Sequence, residues 1–233
     1  MKKVFALVAL AGIASVATAA PKLSFQVSTD GGATWGSSAA VLAGSAVQVR
    51  MVVDWTGSTA YGFSGTLAQL QYSNVDGSDN IVSSGANNLR TAPFIFGSGG
   101  TLRSSASGSN LLVGLAGAGT TIGFLSFSQN APASAGAGYS TANPAVIGSW
   151  SITVGAGRAL GSTLGIGGRV SAAQGTGTGN PVGAFAFHAA AGSTSTSFRE
   201  SGSVEGALIT VVPTPGTLAL VGLGGLVAGR RRR

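Results

Sequence analysis

The 233-residue chain contains no cysteine. That single absence excludes disulfides, thiolate nucleophiles, cysteine-based zinc sites and covalent haem attachment, and it leaves stability outside the cell to a packed core. Charge is scarce too: Asp, Glu, Lys and Arg together make up 8% of residues. Six acids in the whole chain give little material for the paired carboxylates of glycoside hydrolysis. There is one histidine, His188, and no Gly-x-Ser-x-Gly elbow followed by a suitable order of partners for a Ser-His-Asp triad. No repeat of fixed period is present, which argues against solenoids and propellers. Helical periodicity is nearly absent between the two ends of the chain.

The ends carry clear patterns. Lys2 and Lys3 precede an apolar or small stretch from Val4 to Val16, and Ala17-Thr18-Ala19 supplies the small residues that signal peptidase requires. This predicts a secretory signal helix over residues 1–19, cut after Ala19. At the other end Pro213, Thr214, Pro215 and Gly216 precede an uncharged apolar segment, Thr217 to Gly229, followed by Arg230, Arg231, Arg232 and Arg233. Pro213 and Pro215 block regular structure. The 13-residue segment predicts a short transmembrane helix of roughly 20 Å, against a bilayer core of roughly 30 Å. The four arginines should stay on the cytoplasmic side.

A proline motif, a brief apolar run and a terminal arginine cluster, in that order, resemble the PEP-CTERM sorting signal, also called the ice-binding-protein-like C-terminal domain. The resemblance covers about Val212 to Arg233, and Thr214 stands where the family usually has Glu. It implies an exported bacterial protein of the cell envelope, outer surface or biofilm matrix, held briefly at the inner membrane and processed by an exosortase-type enzyme. It also implies an association with extracellular polysaccharide. Residues 211–233 are then the sorting tail, with Pro213 to Gly216 as the recognised motif and the arginines as the membrane stop.

The formal charge of +7 suggests an anionic partner, but its distribution removes the suggestion. Lys2, Lys3 and the four terminal arginines lie in the targeting segments. The remainder holds seven basic residues against six acids, with no basic stripe for nucleic acid.

Residues 20–210 read as one body. Period-two alternation recurs there: Val47, Val49, Met51, Val53 and Trp55 share one face, as do Leu23, Phe25 and Val27, and as do Val146, Gly148, Trp150, Ile152 and Val154. In FSGTLAQLQY the phase changes between Leu67 and Leu70, which predicts a bulge. Further strands are expected over 91–96, 110–115, 121–127, 164–170, 182–188 and 203–212, with a short helix within 86–90 as an alternative local feature. About ten short strands separated by Gly/Ser/Asn clusters predict an all-β, antiparallel β-sandwich of jelly-roll type.

Within that body, Ser28, Asp30, Gly32, Thr34 and Trp35 match Ser-x-Asp-x-Gly-x-Thr-Trp. The pattern resembles the Asp box of sialidases and other secreted β-proteins, where it is generally a structural turn remote from catalysis. Asp30 is expected to accept hydrogen bonds from turn amides, and Trp35 to fold back over the hairpin. Tyr61, Tyr72 and Tyr139 form no recognisable sialidase set with the scattered arginines. Asp54 stands at a strand end without an identifiable partner acid. Asp76 and Asp79, in the oxygen-rich loop from Asn74 to Asn80, are a candidate Ca²⁺ position without EF-hand spacing. His188 is expected to face outward beside Ala186. Thr176, Thr178, Thr194 and Thr196 are too few for a threonine array, and Trp35, Trp55, Tyr61 and Trp150 are a candidate sugar-stacking platform. The expectation is a non-catalytic surface or matrix protein with no catalytic residue or metal site. A carbohydrate-binding module or adhesin is the alternative, and a surface glycoside hydrolase a more distant one.

Overall fold

The computed structural model describes residues 20–82, 84–86, 88–96, 100–119, 121–135, 138–171 and 184–214. The signal helix expected over 1–19 and the apolar segment over 217–229 lie outside the described residues. Among the described residues, no helix is long and apolar enough to cross a membrane.

Two sheets pack into an all-β sandwich. The smaller has the order β10 (Ala145–Thr153), β3 (Ala46–Asp54), β1 (Lys22–Ser28), β14 (Ser203–Glu205). The larger runs β2 (Ser38–Val41), β15 (Ala207–Val211), β11 (Thr163–Val170), β4 (Gly62–Ser73), β7 (Asn110–Ala116), β6 (Thr101–Ser107), β5 (Gly85–Ala86). Off that path, β9 (Leu125–Ser128) and β12 (Phe185–His188) also pair with β4. β13 (Phe198–Glu200) pairs with β12, and β8 (Ile122–Gly123) with β7. The helix among the described residues is the four-residue α1 (Pro132–Ala135).

Alternating side chains build the core. In the smaller sheet Leu23, Phe25 and Val27 of β1 lie opposite Val53, Met51 and Val49 of β3, and all six are buried. From the larger sheet Ala68, Leu70 and Tyr72 of β4, Val113, Phe127, Leu164 and Ile209 meet them. Trp150 ties the layers together: its indole Nε1 donates to Tyr72 Oη at 3.0 Å, and its ring stands edge-on to Phe25. A buried phenol needs such a partner, and burial pushes the Tyr72 hydroxyl well above its ordinary range.

Several expectations are corrected. The sheets are not wholly antiparallel: β1 pairs with β14, and β2 with β15, in parallel. The reason is topological. The chain crosses from the small to the large sheet four times, and two of those crossings, from β1 to β2 and from β14 to β15, run side by side. The span 91–96 is a turn with an isolated Ile95–Ser128 bridge, because Pro93 has no N–H to give a ladder. The described residues of 86–90 are not helical; they hold the end of β5 and an Arg90–Gly148 bridge. In β10 a register shift between Val146 and Gly148 lets Ile147 into the core in place of Val146. The β4 bulge exists but lies earlier than expected. Gly65 pairs with Ala186 and Phe63 with Phe187, so Ser64 is the extra residue.

Candidate functional site

The Ser28–Trp35 segment closes into a turn after β1. Gly31 and Gly32 take the positive φ values that it requires, 74° and 93°. Ser28 Oγ donates to Asp30 Oδ1 (2.7 Å) and accepts from Gly32 N (2.9 Å). Asp30 also accepts from Thr34 N (2.9 Å) and Thr34 Oγ1 (2.5 Å). Those bonds from Thr34, then that from Ser28, hold the Asp30 carboxyl far below the ordinary carboxylate range. Trp35 Nε1 donates to Gly32 O at 2.9 Å, and the Arg50 guanidinium sits 4.3 Å from the Trp35 ring centroid. All three polar side chains are thus spent on the turn itself.

The other acids are similarly engaged. Asp54 Oδ1 accepts from Thr56 N and Oγ1, and these bonds hold its carboxyl low. Glu205 pairs with Lys22 at 3.2 Å, and Glu200 accepts from Ser58 Oγ at 3.3 Å. The Asn74–Asn80 loop is organised around a guanidinium. Asp79 Oδ1 accepts from Arg158 Nε and Gly155 N, both at 2.8 Å. Its Oδ2 accepts from Arg158 Nη2 (2.7 Å) and Asp76 N (2.8 Å). Burial would raise the Asp79 carboxyl, but the Arg158 bonds and backbone donors outweigh it and hold it below its ordinary value. Arg158 reaches Thr163 O and Asn74 O as well, and the pair's side chains are 3% and 0% exposed. Asp76 turns its own Oδ1 to Ser78. Among the described residues, no three or more metal-ligating side chains form a group.

The four aromatics expected as a platform go to four different places. Trp55 is buried against Phe63 and Phe187, Trp150 bridges the sheets, Trp35 covers its turn, and Tyr61 stacks on Tyr139. Thr176 and Thr178 lie outside the described residues. Of the tail motif, Pro213 and Thr214 follow directly on β15, whose ladder region ends with Val212 N donating to Val41 O (2.8 Å). Pro215, Gly216 and Arg230 to Arg233 lie outside the described residues.

The side chains that do converge on open space lie on the outer face of the larger sheet. A cleft of about 440 Å³ is floored by β4, β9 and β12 and walled by the segments around residues 129–134 and 194–196. Eight of its seventeen lining residues carry hydroxyls, two more are Gln129 and Asn130, and none is a carboxylate. The Ser64 bulge turns that side chain toward Thr196, with the two hydroxyls 2.9 Å apart. Gly65 lets β9 approach: a Cβ there would lie 2.6 Å from Ser128 Cβ. Gln129 fixes one wall, donating to Phe63 O and Ser140 O and accepting from Ser140 N. At the rim, Phe96 is 54% exposed.

His188 borders this cleft and is not the surface residue expected. It is 1% exposed because Tyr139 lies across it, with Oη 2.8 Å from His188 Nδ1 and the rings 5.5 Å apart. Burial holds the imidazole below its ordinary pKa, and the Tyr139 hydroxyl is pushed up to about 12, chiefly by burial. No local sequence pattern singles out Ser64, Phe96, Gln129 or Tyr139 for this face. The phase change in FSGTLAQLQY was the one available signal, and it pointed a few residues too far along.

The fold class is therefore an all-β sandwich with a polar cleft on one face. No family model matches the chain, and no curated protein matches it. Solved structures similar to it include the seventh ScaB type I cohesin from Pseudobacteroides cellulosolvens, at 12% identity and TM-score 0.45, covering 84% of this chain and 95% of that one. Another is the sixth cohesin of scaffoldin B from Acetivibrio cellulolyticus, solved with a Cel5 dockerin, at 15% identity and TM-score 0.40, covering 82% and 99%. A third is the OlpA cohesin from Clostridium thermocellum, solved with a dockerin, at 7% and 0.41, covering 82% and 99%. At these values the similarity is one of general shape, and it assigns no partner or ligand to this chain.

Proposed function

We propose that the chain is an exported, non-catalytic protein of the bacterial cell envelope or extracellular matrix, a jelly-roll-type sandwich delivered by two removable end segments. Signal peptidase removes residues 1–19. An exosortase-type enzyme acts at Pro213-Thr214-Pro215-Gly216 while the apolar tail and Arg230 to Arg233 hold the chain at the inner membrane. The jelly-roll reading is supported by the repeated passage of the chain between the two sheets, strand by strand from β1 to β4 and again from β14 to β15. The non-catalytic reading is supported by the acids, which serve turns and ion pairs, and by a cleft whose lining has no carboxylate.

One observation carries the sorting reading furthest. The strand pairs of β15 end at Val211, Val212 N donates to Val41 O, and Pro213 follows at once. A cut beyond Thr214 leaves every strand pair of β15 in place. Replacing both Pro213 and Pro215 with Ala in the native host tests it. The expected outcome is accumulation of a longer, membrane-retained form; unchanged processing and release would refute the assigned motif.

A further inference from the structure

We propose that the cleft over β4, β9 and β12 is a binding site for a neutral oligosaccharide, with Phe96 as the stacking face and the surrounding hydroxyls and amides as its hydrogen-bonding lining. This goes beyond sorting and does not depend on it.

The composition of the lining selects the ligand chemistry. Hydroxyl and carboxamide groups each offer both donor and acceptor capacity, which suits a ligand whose own surface is mostly hydroxyl. Some of these groups already serve the fold: Thr66 Oγ1 donates to Ala184 O, and Gln129 is held by its three backbone bonds. Asn130, Ser134, Thr194 and Ser195 stand further out and are exposed, with side chains that make no hydrogen bond to the described residues. The inner groups therefore fix the shape and the outer ones face a ligand. About 440 Å³ falls within the range of roughly 300–1,000 Å³ for small-molecule sites.

Phe96 supplies the apolar half of the contact. A sugar ring has an apolar C–H face, and an exposed aromatic beside a polar cleft can cover it. Phe96 is exposed yet held: its N–H donates to Ser128 O at 2.8 Å, and its carbonyl accepts from Ser128 Oγ at 3.0 Å and from Arg90 Nη1 at 3.5 Å. Stacking on a backbone already fixed loses little further conformational freedom.

Two other ligand classes fit worse. An extended peptide binds by adding a strand to an open edge, but β4 pairs with both β9 and β12 where it forms the floor, so no backbone edge is offered there. An acidic ligand calls for clustered cations. The lining has one arginine, Arg199, which already has a partner within the chain, and His188, whose pKa burial lowers.

Isothermal titration of the full-length protein with neutral tetrasaccharides of glucose, mannose and galactose, and with trigalacturonate, tests the proposal. At least one neutral tetrasaccharide should bind saturably. Phe96→Ala should weaken that binding by about tenfold or more, the loss expected of a central aromatic contact. Asn130→Ala and Thr194→Val should each weaken it by a smaller factor, and Leu160→Ala, at an exposed position outside the cleft, should leave it unchanged. Phe96 is exposed, so its truncation should leave the circular dichroism spectrum intact. Saturation by no neutral sugar, saturation by trigalacturonate alone, or affinity unaffected by both Phe96→Ala and Thr194→Val would overturn the proposal. Each of those outcomes leaves the sorting reading standing.

Discussion

Asp79 shows how one residue can mislead a sequence reading. Two aspartates in a Gly/Ser/Asn loop suggest a cation. The fold instead brings in Arg158, 79 positions away, and fills both carboxylate oxygens. No local pattern could have announced that partner. Two outcomes follow. Arg158→Met leaves a buried carboxylate without its counter-charge and should destabilise the protein by about 3–5 kcal/mol in urea unfolding. Removing calcium with a chelator, or adding it in excess, should leave the thermal midpoint where it was, since Asp79 has no free oxygen to offer; an upward shift with calcium would show that an ion displaces the guanidinium. The Ser28–Trp35 turn is the opposite case. Its partners are all within a few residues, so its geometry could be read from spacing alone, and the bonds made by Asp30, Thr34 and Trp35 follow that reading closely.

Strands were legible where one face is apolar. β1 and β3 alternate cleanly, and β7 and β11 fall near their expected spans, whereas the single strand expected over 203–212 splits at Gly206 into β14 and β15, which join different sheets. β6 was missed because its sequence, TLRSSAS, buries only Leu102 and carries no alternation. β13, three residues long, gives too short a signal for period two. The parallel pairs were also invisible, because they arise from two distant crossings meeting in space. β4 matters most to the cleft: the Ser64 bulge aims a hydroxyl outward, and Gly65 admits β9. Gly65→Ala would force a Cβ to 2.6 Å from Ser128 Cβ and 2.9 Å from Phe127 O. It should destabilise the fold by about 1–3 kcal/mol, as overpacking does, and loosen the cleft floor. Thermal unfolding of the variant checks the first effect; an unchanged midpoint would mean that β9 yields without strain.

At the scale of the whole molecule, the proposed function divides the work between the ends and the body. Six of the thirteen basic residues lie in the two end segments proposed as targeting signals, so the high sequence pI belongs to those ends and not to the slab between them. That slab is near neutral, free of cysteine and closed by Val212, with its acids spent on turns and ion pairs. The intact mass of the protein isolated from its native host, together with the fraction in which it is found, tests this division most directly. The account predicts a species that begins at Ala20 and lacks Arg230 to Arg233. A cytosolic product that still carries Met1 and the terminal arginines would contradict it.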